Sequence, residues 1–164
     1  MIDENDMKHL DRCVELATQA LDTGNPPFGA VLVDEHGDVR YEGHNLTVDG
    51  DNTQHPELAI ARWSAANMTP DERSAATVYT SGEHCPMCAA AHGWVGLGRI
   101  VYASSSEQLA SWLDALHANP PPVATLPIHD VVPGVPVEGP FPVMAEAVRQ
   151  LHARYQKALS ARSQ

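Results

Sequence analysis

Glu83-His84-Cys85-Pro86-Met87-Cys88 joins a short apolar run, Ala75 to Thr80 (AATVYT), to an apolar stretch from Pro86 to Val95. The run reads as a strand and the stretch as a helix, with Pro86 just inside the helix start, where its missing N–H does no harm and its fixed φ suits the first turn. A second segment, His55-Pro56-Glu57, repeats the device, because Pro56 to Asn67 (PELAIARWSAAN) also reads as a helix opened by proline. Both His55 and Cys85 are therefore expected at N-cap positions, with Cys88 in the first turn. Thiols there face free backbone N–H groups and the positive end of the helix dipole, which favours the thiolate that a metal requires. One imidazole and two thiolates leave a tetrahedral zinc one ligand short, the arrangement of a catalytic rather than a structural site. Glu57, two residues past the histidine, is placed to move protons beside the metal without ligating it.

The rest of the chain reads as alternating helix and strand. Met7, Leu10, Val14, Ala17 and Leu21 recur at helical spacing, so residues 4–22 form an amphipathic first helix ended by Gly24 and Asn25. Residues 28–34 (FGAVLVD) and 39–44 (VRYEGH) read as a hairpin, residues 99–103 (RIVYA) as a further strand and residues 107–117 as a helix. Residues 128–132 are expected to supply a fifth strand. Residues 119–142 hold eight of the 13 prolines, which excludes a regular helix or a central strand and marks an extended connection, either packed near the site or crossing the surface. A last helix is expected over 142–160, with Met144, Val148, Leu151, Tyr155 and Leu159 on one face.

At 164 residues and 43% hydrophobic content the chain suits one domain with one substantial core. Ten Lys and Arg against 21 Asp and Glu give a formal charge of −11. That balance disfavours a broad grip on phosphate backbones and so a nucleic-acid partner. The acidic N-terminus lacks the apolar core of a signal peptide, and no run of about 18 apolar residues occurs, so a cytoplasmic protein without a membrane partner is expected. Three cysteines do not make a disulfide framework. Cys13, beside Val14 and Ala17, reads as a small buried hydrophobe.

Other readings stand beside the catalytic one. A Cys-x-x-Cys between strand and helix also fits a thioredoxin-like redox pair, which would not require His55 or Glu57. A structural zinc would need a fourth ligand, for which His84, His92 and Cys13 are candidates. His9, His36, His117, His129 and His152 show no ligand spacing and are expected at the surface.

His55-x-Glu57 with Cys85-x-x-Cys88 resembles the zinc signature of the cytidine deaminase superfamily, H-x-E…P-C-x-x-C. Asn25-Pro-Pro-Phe-Gly-Ala-Val-Leu-Val33, Asn45 and the Cys-Pro-Met-Cys core look most like its guanine deaminase and transfer-RNA adenosine deaminase branch. The resemblance runs over residues 5–105, with the last 60 residues matching only loosely. It implies an α/β fold, a three-layer α/β/α sandwich around a five-stranded mixed sheet, with assembly into homodimers or larger forms. It also implies a Zn2+ cofactor on His55, Cys85 and Cys88, Glu57 as proton shuttle, and the Cys85 backbone N–H holding the oxygen that develops during attack. For the substrate it implies a hydrogen bond from Asn45, a wall at Phe28, close backbone approach at Gly29 and Ala30, and a contact or supporting hydrogen bond from Glu83. Two positions depart from the pattern. Pro56 replaces the usual alanine, which the helix-start argument makes harmless, and His84 replaces the usual proline, placing a polar ring where it could meet substrate. The expected reaction is hydrolytic deamination of a small nucleobase-like ring such as guanine, a related purine, a pterin or a triazine. The alternatives are a nucleoside or transfer-RNA adenosine deaminase, or a zinc or redox module without turnover.

Overall fold

The computed structural model describes residues 2–162. Helix α1 (Glu4–Asp22) opens on a reciprocal cap in which the Asp3 side chain accepts from the amides of Asn5 and Asp6 while Asp6 reaches back to the Asp3 N–H. Strands β1 (Gly29–Val33) and β2 (Val39–His44) form an antiparallel hairpin. Helix α2 (Pro56–Asn67) and a short helix α3 (Pro70–Ala75) lead to β3 (Thr77–Gly82), and α4 (Pro86–Val95) leads to β4 (Arg99–Ser104). Helices α5 (Ser106–Ala115) and α6 (Ile128–Val131), strand β5 (Val137–Glu138) and the long α7 (Pro142–Arg162) complete the chain.

The five strands form one mixed sheet in the order β2-β1-β3-β4-β5. β1 pairs antiparallel with both β2 and β3, whereas β3–β4 and β4–β5 are parallel. Alternation along the central strands builds a core on each face. Val31, Val33, Tyr79 and Val101 pack with Leu10, Cys13 and Leu16 of α1 and with Met144 and Val148 of α7. Ala30, Leu32 and Val78 face Ile60 and Ala61 of α2 on the other side. Gly29 is required by this closeness, since a Cβ there would lie 2.5 Å from the Cys13 carbonyl and 2.5 Å from the Leu16 Cβ. One ionic network ties the layers: the Asp6 carboxylate accepts from the Tyr79 hydroxyl at 2.6 Å and the Arg99 guanidinium at 2.7 Å, and Arg99 also pairs with Glu138.

Three boundaries differ from the sequence reading. The third strand begins at Thr77, because Ala75 closes α3, a helix started by Pro70 and a capping box between Thr69 and Glu72. Residues 128–131 are helical rather than a strand: the Ile128 amide donates to the Glu83 carboxylate and one side chain, Ile128, is fully buried. The edge of β4 is taken instead by Val137 and Glu138, brought into line where Ile100 donates to the Pro136 carbonyl. Within the proline-rich connection, residues 119–127 are exposed, while Val132 closes on Gly93 of α4. No helix among the described residues is long and apolar enough to cross a membrane.

Candidate active site

β3 ends where α4 begins, and α2 starts on the same side of the sheet, so the N-termini of α2 and α4 converge. His55 and Cys85 occupy the two N-caps in extended backbone conformation, each followed by proline. The His55 Nδ1 atom lies 3.6 Å from Cys85 Sγ and 3.5 Å from Cys88 Sγ. All three donor atoms fall within 4.8 Å of one another, and among the described residues no other group of His, Cys, Asp or Glu is so placed. Zinc–nitrogen and zinc–sulfur bonds of about 2.0 and about 2.3 Å at a tetrahedral angle set those atoms about 3.5 Å apart, so the donor set fits zinc. Cys85 Sγ receives the Cys88 amide and Cys88 Sγ receives the Leu58 amide, so each sulfur sits over a helix start. The Cys88 thiol, with His55, pulls Cys85 down to about 4, while Cys88 is pushed up because its proton is shared with Cys85 and it is buried.

Glu57 is 6% exposed and lies outside the ligand set. Burial raises its pKa, and the Thr80 hydroxyl, 2.7 Å from Oε1, opposes that rise. The same hydroxyl lies 2.8 Å from the Gly82 carbonyl, yet it carries a single proton. When Glu57 is ionised, Thr80 donates to it. When Glu57 is protonated, the carboxyl donates to Thr80 and Thr80 turns to Gly82. Both protonation states are thus accommodated without moving a heavy atom, which suits a group that takes up and returns protons.

The remaining sequence candidates divide. Asn45 is buried, its N–H donates to the Phe28 carbonyl, and its Oδ1 has no partner. The Phe28 ring lies against Gly82, where a Cβ would be 3.0 Å away. His84 is 1% exposed, packs edge-on against His92 at 5.3 Å between ring centroids, and leaves its Nδ1 unpartnered. Burial lowers its pKa well below the ordinary histidine value, so the ring is neutral. Ala30 packs in the core facing α2, opposite Thr80. Both carboxylate oxygens of Glu83 are engaged, accepting from Ser106 at 2.8 Å and Ile128 at 2.9 Å, so Glu83 anchors the starts of α5 and α6. Neither His92, whose Nε2 lies 2.8 Å from the Gly98 carbonyl, nor the fully buried Cys13 joins the metal group.

Two residues escaped the sequence reading. Thr80 shares the α2-facing side of β3 with Val78, as alternation requires, but nothing local marks it as a partner of Glu57. His152, expected at the surface, is 3% exposed. Its signal was its place four residues after Val148, on the buried face of α7. A cavity of about 320 Å³ beside edge strand β2 reaches His55 and Pro56 of the site but not Glu57.

Comparison with known proteins decides the family: residues 3–104 match the cytidine and deoxycytidylate deaminase zinc-binding region. The chain belongs to this family. It is 35% identical over 108 residues to a probable cytosine deaminase of Schizosaccharomyces pombe, covering 66% of this chain and 65% of that one. It is 37% identical over 103 residues to a tRNA-specific adenosine deaminase of Haemophilus influenzae, covering 62% and 60%. The chain thus spans somewhat under two thirds of the length of these relatives. The structure of a guanine deaminase from Nitrosomonas europaea shares the fold, with a TM-score of 0.68 at 20% identity over 96% of this chain and 86% of that one. The cytidine deaminase-like architecture and a zinc-binding deaminase domain, with His55, Cys85 and Cys88 as the possible metal site, follow.

Proposed function

We propose that this deaminase hydrolyses the exocyclic amine of a free nucleobase-like ring, guanine or a related purine, pterin or triazine, and releases ammonia. The observation that carries the reading is a three-ligand metal set with a buried, non-ligating carboxylate, Glu57, two residues from the histidine. His55, Cys85 and Cys88 would hold the zinc, which when bound would supply the Lewis acidity that makes water nucleophilic near neutral pH. Glu57 carries the first water proton to the ring nitrogen as the C–O bond forms, then carries the remaining hydroxyl proton to the amine as the C–N bond breaks, so that the ring N–H and the ammonia account for both water protons, with Thr80 accommodating each change of charge. The N–H of Cys85, at the helix start, stabilises the developing oxygen. Asn45 offers its unpartnered oxygen to a ring donor, Phe28 forms a wall, and His84 faces the substrate as a neutral ring.

The choice of a free base over a polynucleotide is supported by enclosure and charge. Glu57, Asn45 and His84 are 6%, 3% and 1% exposed, and the chain carries −11. Deamination of adenosine in transfer RNA is the second reading, favoured by the likeness to the Haemophilus protein. We further propose one domain working as a homodimer in the cytoplasm, consistent with Trp94, 90% exposed at the end of α4, and with three free cysteines.

The test is ammonia release by zinc-loaded protein from guanine, ammeline, pterins, cytosine, guanosine, cytidine and a transfer-RNA anticodon loop. Turnover of a free base is expected, and Glu57→Gln should keep zinc but lose at least about 10²-fold in turnover. Turnover of nucleosides or transfer RNA alone would reject the base preference, and full activity of Glu57→Gln would reject the mechanism.

A further inference from the structure

We infer that His152, on α7, is a specificity-determining residue that hydrogen-bonds the substrate ring. The inference rests on the free-base reading above and names the group that recognises that base. His152 is 97% buried in effect, with 3% of its surface exposed, yet no side chain or backbone group among the described residues hydrogen-bonds its ring. Its neighbours are aromatic: Phe28 meets it edge-on at 5.0 Å between centroids and 67°, and Trp112 of α5 lies tilted at 6.2 Å. Burial pushes its pKa down to about 4, so at neutral pH the imidazole carries one N–H donor and one acceptor nitrogen. Native folds rarely leave a buried polar ring without a partner, and the exceptions need a function, a water or a ligand.

Phe28 links this ring to the reaction site. Its own ring rests on Gly82, three residues before Cys85, and its carbonyl holds the amide of Asn45, whose buried Oδ1 is also without a partner. Asn45, with its buried and unpartnered oxygen, and His152, with no hydrogen bond to its ring from the described residues, therefore both adjoin Phe28, whose ring rests on the strand that leads to Cys85. That pattern fits a flat nitrogen heterocycle whose edge, away from the amine being lost, presents a carbonyl beside an N–H or a ring nitrogen, while Phe28 and Trp112 exclude water. α7 lies outside the family-matched stretch, which ends at residue 104. Relatives named for different substrates share that stretch, so a discriminating group on α7 is well placed to separate their chemistries.

The test uses the full zinc-loaded chain, with 8-azaguanine, guanine and cytosine as probes in calorimetry and ammonia assays. His152→Phe keeps ring volume and aromatic packing but removes both nitrogens, and His152→Asn keeps a donor and an acceptor. The Phe variant should retain zinc and melting temperature, bind its preferred base about tenfold more weakly, and raise KM with little change in kcat. The Asn variant should recover part of that affinity. In the wild type, the 15N shifts of the His152 ring should move when the base is added, which a merely structural histidine would not show. Unchanged affinity in the Phe variant, or ring shifts indifferent to ligand, overturns the inference. Loss of binding in the Phe variant of a wild type that binds bases without turning them over supports His152 while rejecting the deaminase reading. A wild type that binds none of the three bases overturns both.

Discussion

Replacing Thr80 by valine isolates the side-chain hydrogen bond made to Glu57, the proposed proton shuttle. Valine has the shape of threonine, keeps the β-branch that suits a strand, and touches no metal ligand. The substitution removes the hydroxyl whose single proton goes either to Glu57 at 2.7 Å or to the Gly82 carbonyl at 2.8 Å. A hydrogen bond to a charged partner contributes about 1.5–3 kcal/mol. If all of it is expressed in the transition state, kcat/KM should fall by about 10- to 160-fold. The sign of the pH effect follows from the same contact. Burial raises the Glu57 pKa and the Thr80 bond lowers it, so without the hydroxyl the pKa rises further. Glu57 must be ionised to accept a proton, so the acid limb of kcat/KM should move to higher pH. The assay is ammonia release across pH for both proteins, with zinc content measured in parallel. Activity within about twofold of wild type, with an unmoved acid limb and full zinc, would refute the relay.

Two further outcomes follow from the packing. Cys85→Ala and Cys88→Ala should each lose zinc by elemental analysis and melt earlier, because metal-binding free energy is folding free energy; full zinc in both would end the ligand assignment. Asp6→Asn should destabilise by about 2.5 kcal/mol at pH 7. Burial alone would raise the Asp6 pKa, but bonds from Arg99, Tyr79 and the Asp3 amide hold it at about 2 against an ordinary 3.8. A depressed carboxylate stabilises fully above the unfolded value and loses that contribution as pH falls through the folded one. In urea unfolding, the gap between wild type and variant should therefore narrow between pH 4 and about 2, and a constant gap would contradict the assignment.

The metal set was legible in the sequence because its determinants are short-range. His-x-Glu and Cys-x-x-Cys, each with proline at the first helical position, specify both the donors and the helix starts on which they sit. Periodicity likewise showed α1, the hairpin, α2, α4 and most of α7, whose apolar spacing reports one buried face. It did not show α3, although Thr69-Pro70-Asp71-Glu72 carries a capping box, nor β5, whose two residues are too short for any alternation to register.

Tertiary structure decided what lies between elements. Thr80 meets Glu57 across 23 residues of sequence, and Glu83 spends its carboxylate on amides 23 and 45 residues away. Such pairings depend on which strands become neighbours in the sheet, and no local pattern encodes that. His152 shows the difference most clearly. Its helical spacing placed it near a buried face, but only the packing of α7 against α1, β3 and β4 put the imidazole against the ring of Phe28.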